Sequence, residues 1–200
     1  LSNPRFAPRS WRMGDYDTAE REVGRFQINR AWETCTVIGG AWGWAGDSVA
    51  MDLADCITLL ARCKGSGGNL LLNTGPQADG TIVPNHAERY RQIGEWNRQY
   101  GESIFGTRGG PYTPGPWGTA TRKGNTVYLH ILGAWQHDSL SLPALPANIK
   151  SVSVLTGGEA VVIQSDGVLK VKLPVANHHE FNTIIALELD RPASDLSVIK

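Results

Sequence analysis

The densest chemistry in the chain is MGDYDTAERE, residues 13–22, which gathers Asp15, Asp17, Glu20 and Glu22 with a glycine, a threonine and an aromatic, and Trp32-Glu33 follows closely. Carboxylates beside aromatic and apolar side chains can hold a raised pKa and donate protons near neutral pH. The same residues also read as a helix start. Asp17 or Thr18 would then be the cap, with Glu20 and Glu22 in a first turn favoured by the helix dipole. Spacing alone leaves both readings open.

Other constellations are weaker. KGSGGN, residues 64–69, has its lysine first and its glycines before an apolar run. A phosphate-binding loop needs the glycines after a strand and a Lys-Ser/Thr at a helix start. The glycines read instead as a tight connection. His178-His179 lacks a third ligand at helix or hairpin spacing and reads as an exposed loop pair between strands, so no metal site is expected. The G-x-S-x-G elbow of serine hydrolases is missing. Cys35, Cys56 and Cys63 form no C-x-x-C pair. Cys56 and Cys63 lie about 10 Å apart along one expected helix, too far to bridge, so all three read as buried free thiols.

The elements that would position these groups change character along the chain. Residues 1–46 read as loop, rich in Gly and Pro. A helix is expected from Asp47-Ser48, with Val49, Leu53, Ile57, Leu60 and Ala61 on its apolar face, ending near Cys63. NLLLN, residues 69–73, suits a strand buried on both faces. A second helix starts near Pro84 and ends around Tyr100-Gly101. Helix, buried strand, loop, helix is the rhythm of an α/β barrel or a doubly wound sheet. After a linker at about 107–116 come TVYLHIL, SLSLP, KSVSVLT, AVVIQ, VLKVKLP and NTIIALELD, short runs expected to form an antiparallel β-sandwich. The fold class is therefore α/β plus all-β.

Composition narrows the function. Hydrophobic residues make up 41% and charged residues 19%, which favours a packed core over disorder. The formal net charge is zero and there is no basic stripe, so nucleic acid is not an expected partner. No apolar run is long enough to span a bilayer. Seven tryptophans outnumber the tyrosines and the phenylalanines. Indole faces stack on the C–H faces of sugars, although each Trp can equally serve core packing. The chain opens on LSNPRF, without an initiator Met, and reads as a processed chain or a piece of a larger protein.

In order along the sequence stand N-P-R (3–5), G-D-Y-D-T-A-E (14–20), W-E-T-C (32–35), A-W-G-W (41–44), K-G-S-G-G-N-L-L-L-N-T-G-P-Q-A-D-G-T-I (64–82) and I-G-E-W-N-R-Q-Y-G-E-S-I-F-G-T (93–107). Together they resemble the C-terminal portion of an α-L-fucosidase of glycoside hydrolase family 29. The resemblance implies the last strands and helices of a (β/α)8-like barrel over residues 1–106, followed by a C-terminal β-sandwich over 107–200. It implies retaining hydrolysis of terminal α-L-fucosides from glycans, with no cofactor and no metal. Glu20 would be the general acid/base and Glu33 a second acid candidate. Arg5 would contact the fucose, and Trp42 would pack against the sugar's methyl group. The family's nucleophilic Asp lies upstream of N-P-R and is expected to be missing from this chain. An upstream barrel half, or self-association, would then cover the surfaces a partial barrel exposes. The alternative is a catalytically inactive carbohydrate-binding or assembly fragment, and a weaker variant makes the β-tail lectin-like through Trp117 and Trp135. The resemblance also implies a secreted or periplasmic protein, lysosomal in a eukaryote.

Overall fold

The computed structural model describes residues 15–46, 48–133 and 135–200. Its first layer is a parallel sheet of β1 (Asp17–Glu20), β2 (Trp32–Val37) and β3 (Asn69–Asn73), in that order. The reading of MGDYDTAERE as a helix start is thereby overturned, since DTAE is a strand. The loop expected over residues 1–46 likewise contains two strands.

Between β2 and β3 the chain crosses over through α1 (Leu53–Gly65), and α2 (Pro84–Tyr100) follows β3. Asp55 in the first turn of α1 and Arg62 and Lys64 in its last turn suit the helix dipole. The helix begins later than its apolar spacing suggests. Met51 N–H donates to Ile38 O and Ala50 N–H to Asn85 Oδ1, so these donors are already engaged outside a helix. Val49 is left exposed. The second helix starts and ends where Pro84 and Tyr100-Gly101 predict.

NLLLN is a strand, but not one buried on both faces, because Leu71 is 45% exposed. α1 covers only one side of the sheet. On that side Ala19, Trp32, Thr34 and Thr36 are buried. On the other side Val37 alone among the strand residues is buried, and Glu20, Asn69 and Leu71 are exposed.

The second half holds β4 (Arg108–Gly109), β5 (Gly118–Lys123), β6 (Thr126–Leu132), β7 (Ser139–Pro143), β8 (Ile149–Val154), β9 (Val161–Ser165), β10 (Val168–Lys172) and β11 (Asn182–Leu189). They form two antiparallel sheets, ordered β4-β5-β6-β11-β8 and β7-β10-β9. The six expected strands are all present, and β4 and β5 are additional. Asp166 and Gly167 both have positive φ, 52° and 77°, as a two-residue turn between β9 and β10 requires. Val127, Leu129, Ile131, Ile185 and Leu187 meet Leu140, Leu142, Leu169 and Val171 across the sandwich. The opposite face of the five-stranded sheet offers Tyr128, Ile184 and Ala186 to Ile57 of α1 and Trp96 of α2. The helices thus lie between the parallel sheet and the sandwich.

The glycines of KGSGG answer to this packing. A Cβ on Gly65 would lie 1.7 Å from Thr119 Oγ1, and one on Gly68 would lie 2.4 Å from the Trp32 ring. Gly67 has φ +92°. These are close backbone approaches at a tight helix-to-strand connection, in line with the sequence reading.

Candidate active site

Parallel register pairs Glu20 with Cys35 and Thr18 with Glu33, and it pairs Cys35 with Leu71 and Val37 with Asn73. Paired side chains share a face and alternate along a strand. Thr18, Glu20, Glu33, Cys35, Leu71 and Asn73 therefore occupy the open face. Glu20 is the last residue of β1, at the C-terminal end of a parallel strand, where α/β sheets bind their ligands.

Glu20 is exposed and its Oε1 accepts a hydrogen bond from Trp42 Nε1 at 3.2 Å. The Trp42 carbonyl in turn accepts from Asn73 Nδ2 at 2.7 Å, which ties the loop after β2 to the end of β3. Of the described tryptophans only Trp42 and Trp44 are exposed, at 39% and 48%. Trp32, Trp96 and Trp117 are buried, and Trp135 packs against the sandwich core. Sugar stacking is therefore open to the A-W-G-W tryptophans, and the lectin-like reading of Trp117 and Trp135 gives way to packing.

Glu33 shares the open face but stands near the start of β2. It lies two positions before Glu20's register partner, roughly 7 Å nearer the N-terminal ends of the strands. Asp17 accepts from Arg30 Nε at 2.9 Å and from Gln27 Nε2 at 3.0 Å, fastening the loop between β1 and β2. Asp15 and Glu22 are exposed. Arg5 lies outside the described residues.

The Trp42 loop is held from α2 by residues that nothing in the sequence singles out. Asn85 Nδ2 donates to Ser48 O at 3.1 Å. Buried His86 meets Ser48 O through Nε2 at 3.0 Å and Thr74 Oγ1 through Nδ1 at 2.9 Å. These partners are remote in sequence, and PNH reads only as a helix start.

No thiol here is poised to attack. Burial pushes Cys56 and Cys63 up to about 11, against ordinary values near 9. Cys35 is only half-buried, contrary to the sequence reading. Burial, and then the Glu20 charge beside it, raise its pKa as well. His178 and His179 are half-buried rather than exposed. His178 Nε2 bonds Leu173 O, and the His179 ring lies against Tyr100 and Phe181.

Residues 2–102 match the family model for alpha-L-fucosidase. The chain belongs to the alpha-L-fucosidase family. It is 30% identical to the human plasma alpha-L-fucosidase over 84% of this chain and 38% of that protein. The alpha-L-fucosidase of Branchiostoma floridae is 29% identical over 84% of this chain and 39% of that protein. Alpha-L-fucosidase isoenzyme 1 from Paenibacillus thiaminolyticus superposes with a TM-score of 0.77 at 28% identity, covering 88% of this chain and 45% of that one. A family 29 alpha-L-fucosidase from Bacteroides thetaiotaomicron does so with a TM-score of 0.76 at 25% identity, covering 88% and 44%. That structure is a trapped covalent intermediate with 2-fluoro-fucosyl fluoride in a glutamate-to-glutamine mutant. The chain thus spans about two fifths of the length of these curated relatives. Among the described residues, no helix is long and apolar enough to cross a membrane.

Proposed function

We propose that this chain supplies the acid/base part of a retaining exo-α-L-fucosidase that removes terminal α-L-fucosyl residues from glycans. The observation that carries the reading is Glu20 at the C-terminal end of β1, hydrogen-bonded to an exposed tryptophan, in a member of the alpha-L-fucosidase family. Residues 1–106 are read as the last strands and helices of a (β/α)8-like barrel and 107–200 as its β-sandwich partner. A parallel sheet with helices on one face and an open second face supports that division.

In the first step an aspartate attacks the anomeric carbon while the Glu20 carboxyl protonates the departing glycosidic oxygen. In the second step the Glu20 carboxylate takes a proton from water, which attacks the glycosyl ester and frees both fucose and the aspartate. The two carboxyls must stand roughly 5 Å apart. The attacking aspartate is assigned to no residue of this chain. An upstream barrel half is its proposed source, with self-association the other way to cover the open sheet. The covalent intermediate of the Bacteroides relative supports the two-step course. Trp42 is the proposed wall for the fucose methyl, Arg5 a contact to the sugar, and Glu33 the second acid candidate. The plasma relative supports a secreted protein.

Glu20→Gln in the full-length enzyme tests the reading. Turnover of a natural fucoside should fall about a hundredfold or more. An aryl fucoside with a good leaving group should lose less, and azide should restore its rate. Unchanged turnover of natural fucosides would remove Glu20 from the mechanism. The exposed indoles of Trp42 and Trp44 also suit a second reading, an inactive carbohydrate-binding or assembly fragment. Fucose binding without hydrolysis of an aryl α-L-fucoside by these 200 residues would support it.

A further inference from the structure

Glu20 does not stand alone on the sheet edge. Arg21 follows it directly, and its backbone N–H donates to Cys35 O at 2.9 Å, one last rung between β1 and β2. Arg21 then adopts φ +57°, a left-handed conformation that a non-glycine residue takes up only at a cost. Its side chain nevertheless meets two partners on the loop after β2. The guanidinium lies 5.5 Å from the centroid of the Trp42 ring, within cation–π range. Nη2 also approaches Gly40 O at 3.5 Å. The same indole donates its N–H to Glu20 Oε1 at 3.2 Å. Two successive residues of one strand end therefore grip one tryptophan, Glu20 at its N–H edge and Arg21 over its face, while Asn73 holds its carbonyl.

We infer that Trp42 and Arg21 are positioning residues for the proton-transfer carboxyl, Trp42 through its indole N–H and Arg21 by holding the indole in place. This rests on the proposed role of Glu20. A carboxyl at an exposed strand end has several rotamers, and a donor on one oxygen restrains them and leaves the other oxygen to face the leaving group. Because Arg21 covers one face of the indole, only the opposite face is left for a sugar. The left-handed backbone at position 21 is then part of the arrangement.

The test uses the full-length enzyme and two substrates, a natural fucoside and an aryl fucoside with a good leaving group. Trp42→Phe keeps an aromatic wall and removes the N–H. It should lower kcat roughly tenfold on the natural fucoside and clearly less on the aryl fucoside, whose better leaving group needs less protonation. In a Glu20→Ala background the same change should cost nothing further. Arg21→Met should reproduce the Trp42→Phe pattern, and Arg21→Lys should recover most of the rate. Parental kcat for Trp42→Phe on the natural fucoside would overturn the inference, as would an equal loss on both substrates. Parental kcat for Arg21→Met would remove Arg21 from it. None of these outcomes touches the Glu20→Gln result with azide, which tests the underlying reading separately.

Discussion

At the scale of single residues, the open face carries two glutamates with different outlooks. Glu20 ends its strand beside Trp42, whereas Glu33 sits lower on β2 among Thr18 and Asn69. In the full-length enzyme the proposed acid role of Glu20 predicts that Glu33→Gln keeps natural-fucoside turnover within about threefold where Glu20→Gln loses about a hundredfold. The reverse ranking of kcat would move the acid role to Glu33. Glycines divide in a similar way. A Cβ on Gly68 would meet the buried Trp32 ring, while one on Gly94, within α2, meets nothing within 4 Å. Gly68→Ala should destabilise the protein by about 1–3 kcal/mol, and Gly94→Ala should stabilise it by up to about 1 kcal/mol. Urea midpoints at constant slope would check both.

At the scale of elements, β5, β6 and β11 share a buried polar cluster. Thr121 Oγ1 donates to Ser103 O at 2.6 Å, so toward His130 it can only accept, and His130 Nε2–H is its donor at 3.1 Å. His130 Nδ1 then accepts from Asn182 Nδ2 at 3.0 Å. The imidazole is held neutral, and burial pulls its pKa down to about 4 from an ordinary 6.5, against a smaller upward pull from its hydrogen bonds. The unfolded chain therefore binds a proton first as pH falls. Stability should be complete above about pH 6.5 and decline toward pH 4, by about 3 kcal/mol from this group. Chemical denaturation at several pH values should show that decline, and His130→Gln should flatten it. A parent curve with no slope between pH 6.5 and 4 would contradict the assignment.

Such a cluster is invisible in TVYLHIL, where the histidine only interrupts an apolar run. The outer strands of the sandwich were legible because they alternate, as SLSLP and VLKVK do over a single buried face. GTATRK was not, since its small residues fit between β6 and α1 without any apolar signal. DTAE and WETCTV were hidden for a different reason. Their open face carries Glu20, Glu33 and Thr18, so the strands look like polar loop. Of the candidate site, Glu20 and Trp42 were singled out in the sequence through the ordered motifs. Arg21, Asn73, Asn85 and His86 depend on contacts between distant segments.

At the scale of the whole molecule, the composition change near residue 107 suggests two independent halves, but their cores adjoin. Ile57 of α1 and Trp96 of α2 are buried against Tyr128, Ile184 and Ala186 of the five-stranded sheet. Gly109 packs against the Gly65–Gly67 connection so closely that a Cβ there would lie 2.5 Å from Gly65 O. Burying one sheet on both faces makes its stability depend on the helices and on the sandwich together. Ile57→Ala, in the helical layer, and Ile185→Ala, in the sandwich core, should therefore each cost about 2–4 kcal/mol and lower one common unfolding transition. Far-UV circular dichroism and tryptophan fluorescence should trace that transition coincidently in the parent and in both variants. If instead each substitution shifted its own separate midpoint and left the other in place, the two halves would be energetically independent and their contact through α1 and α2 incidental.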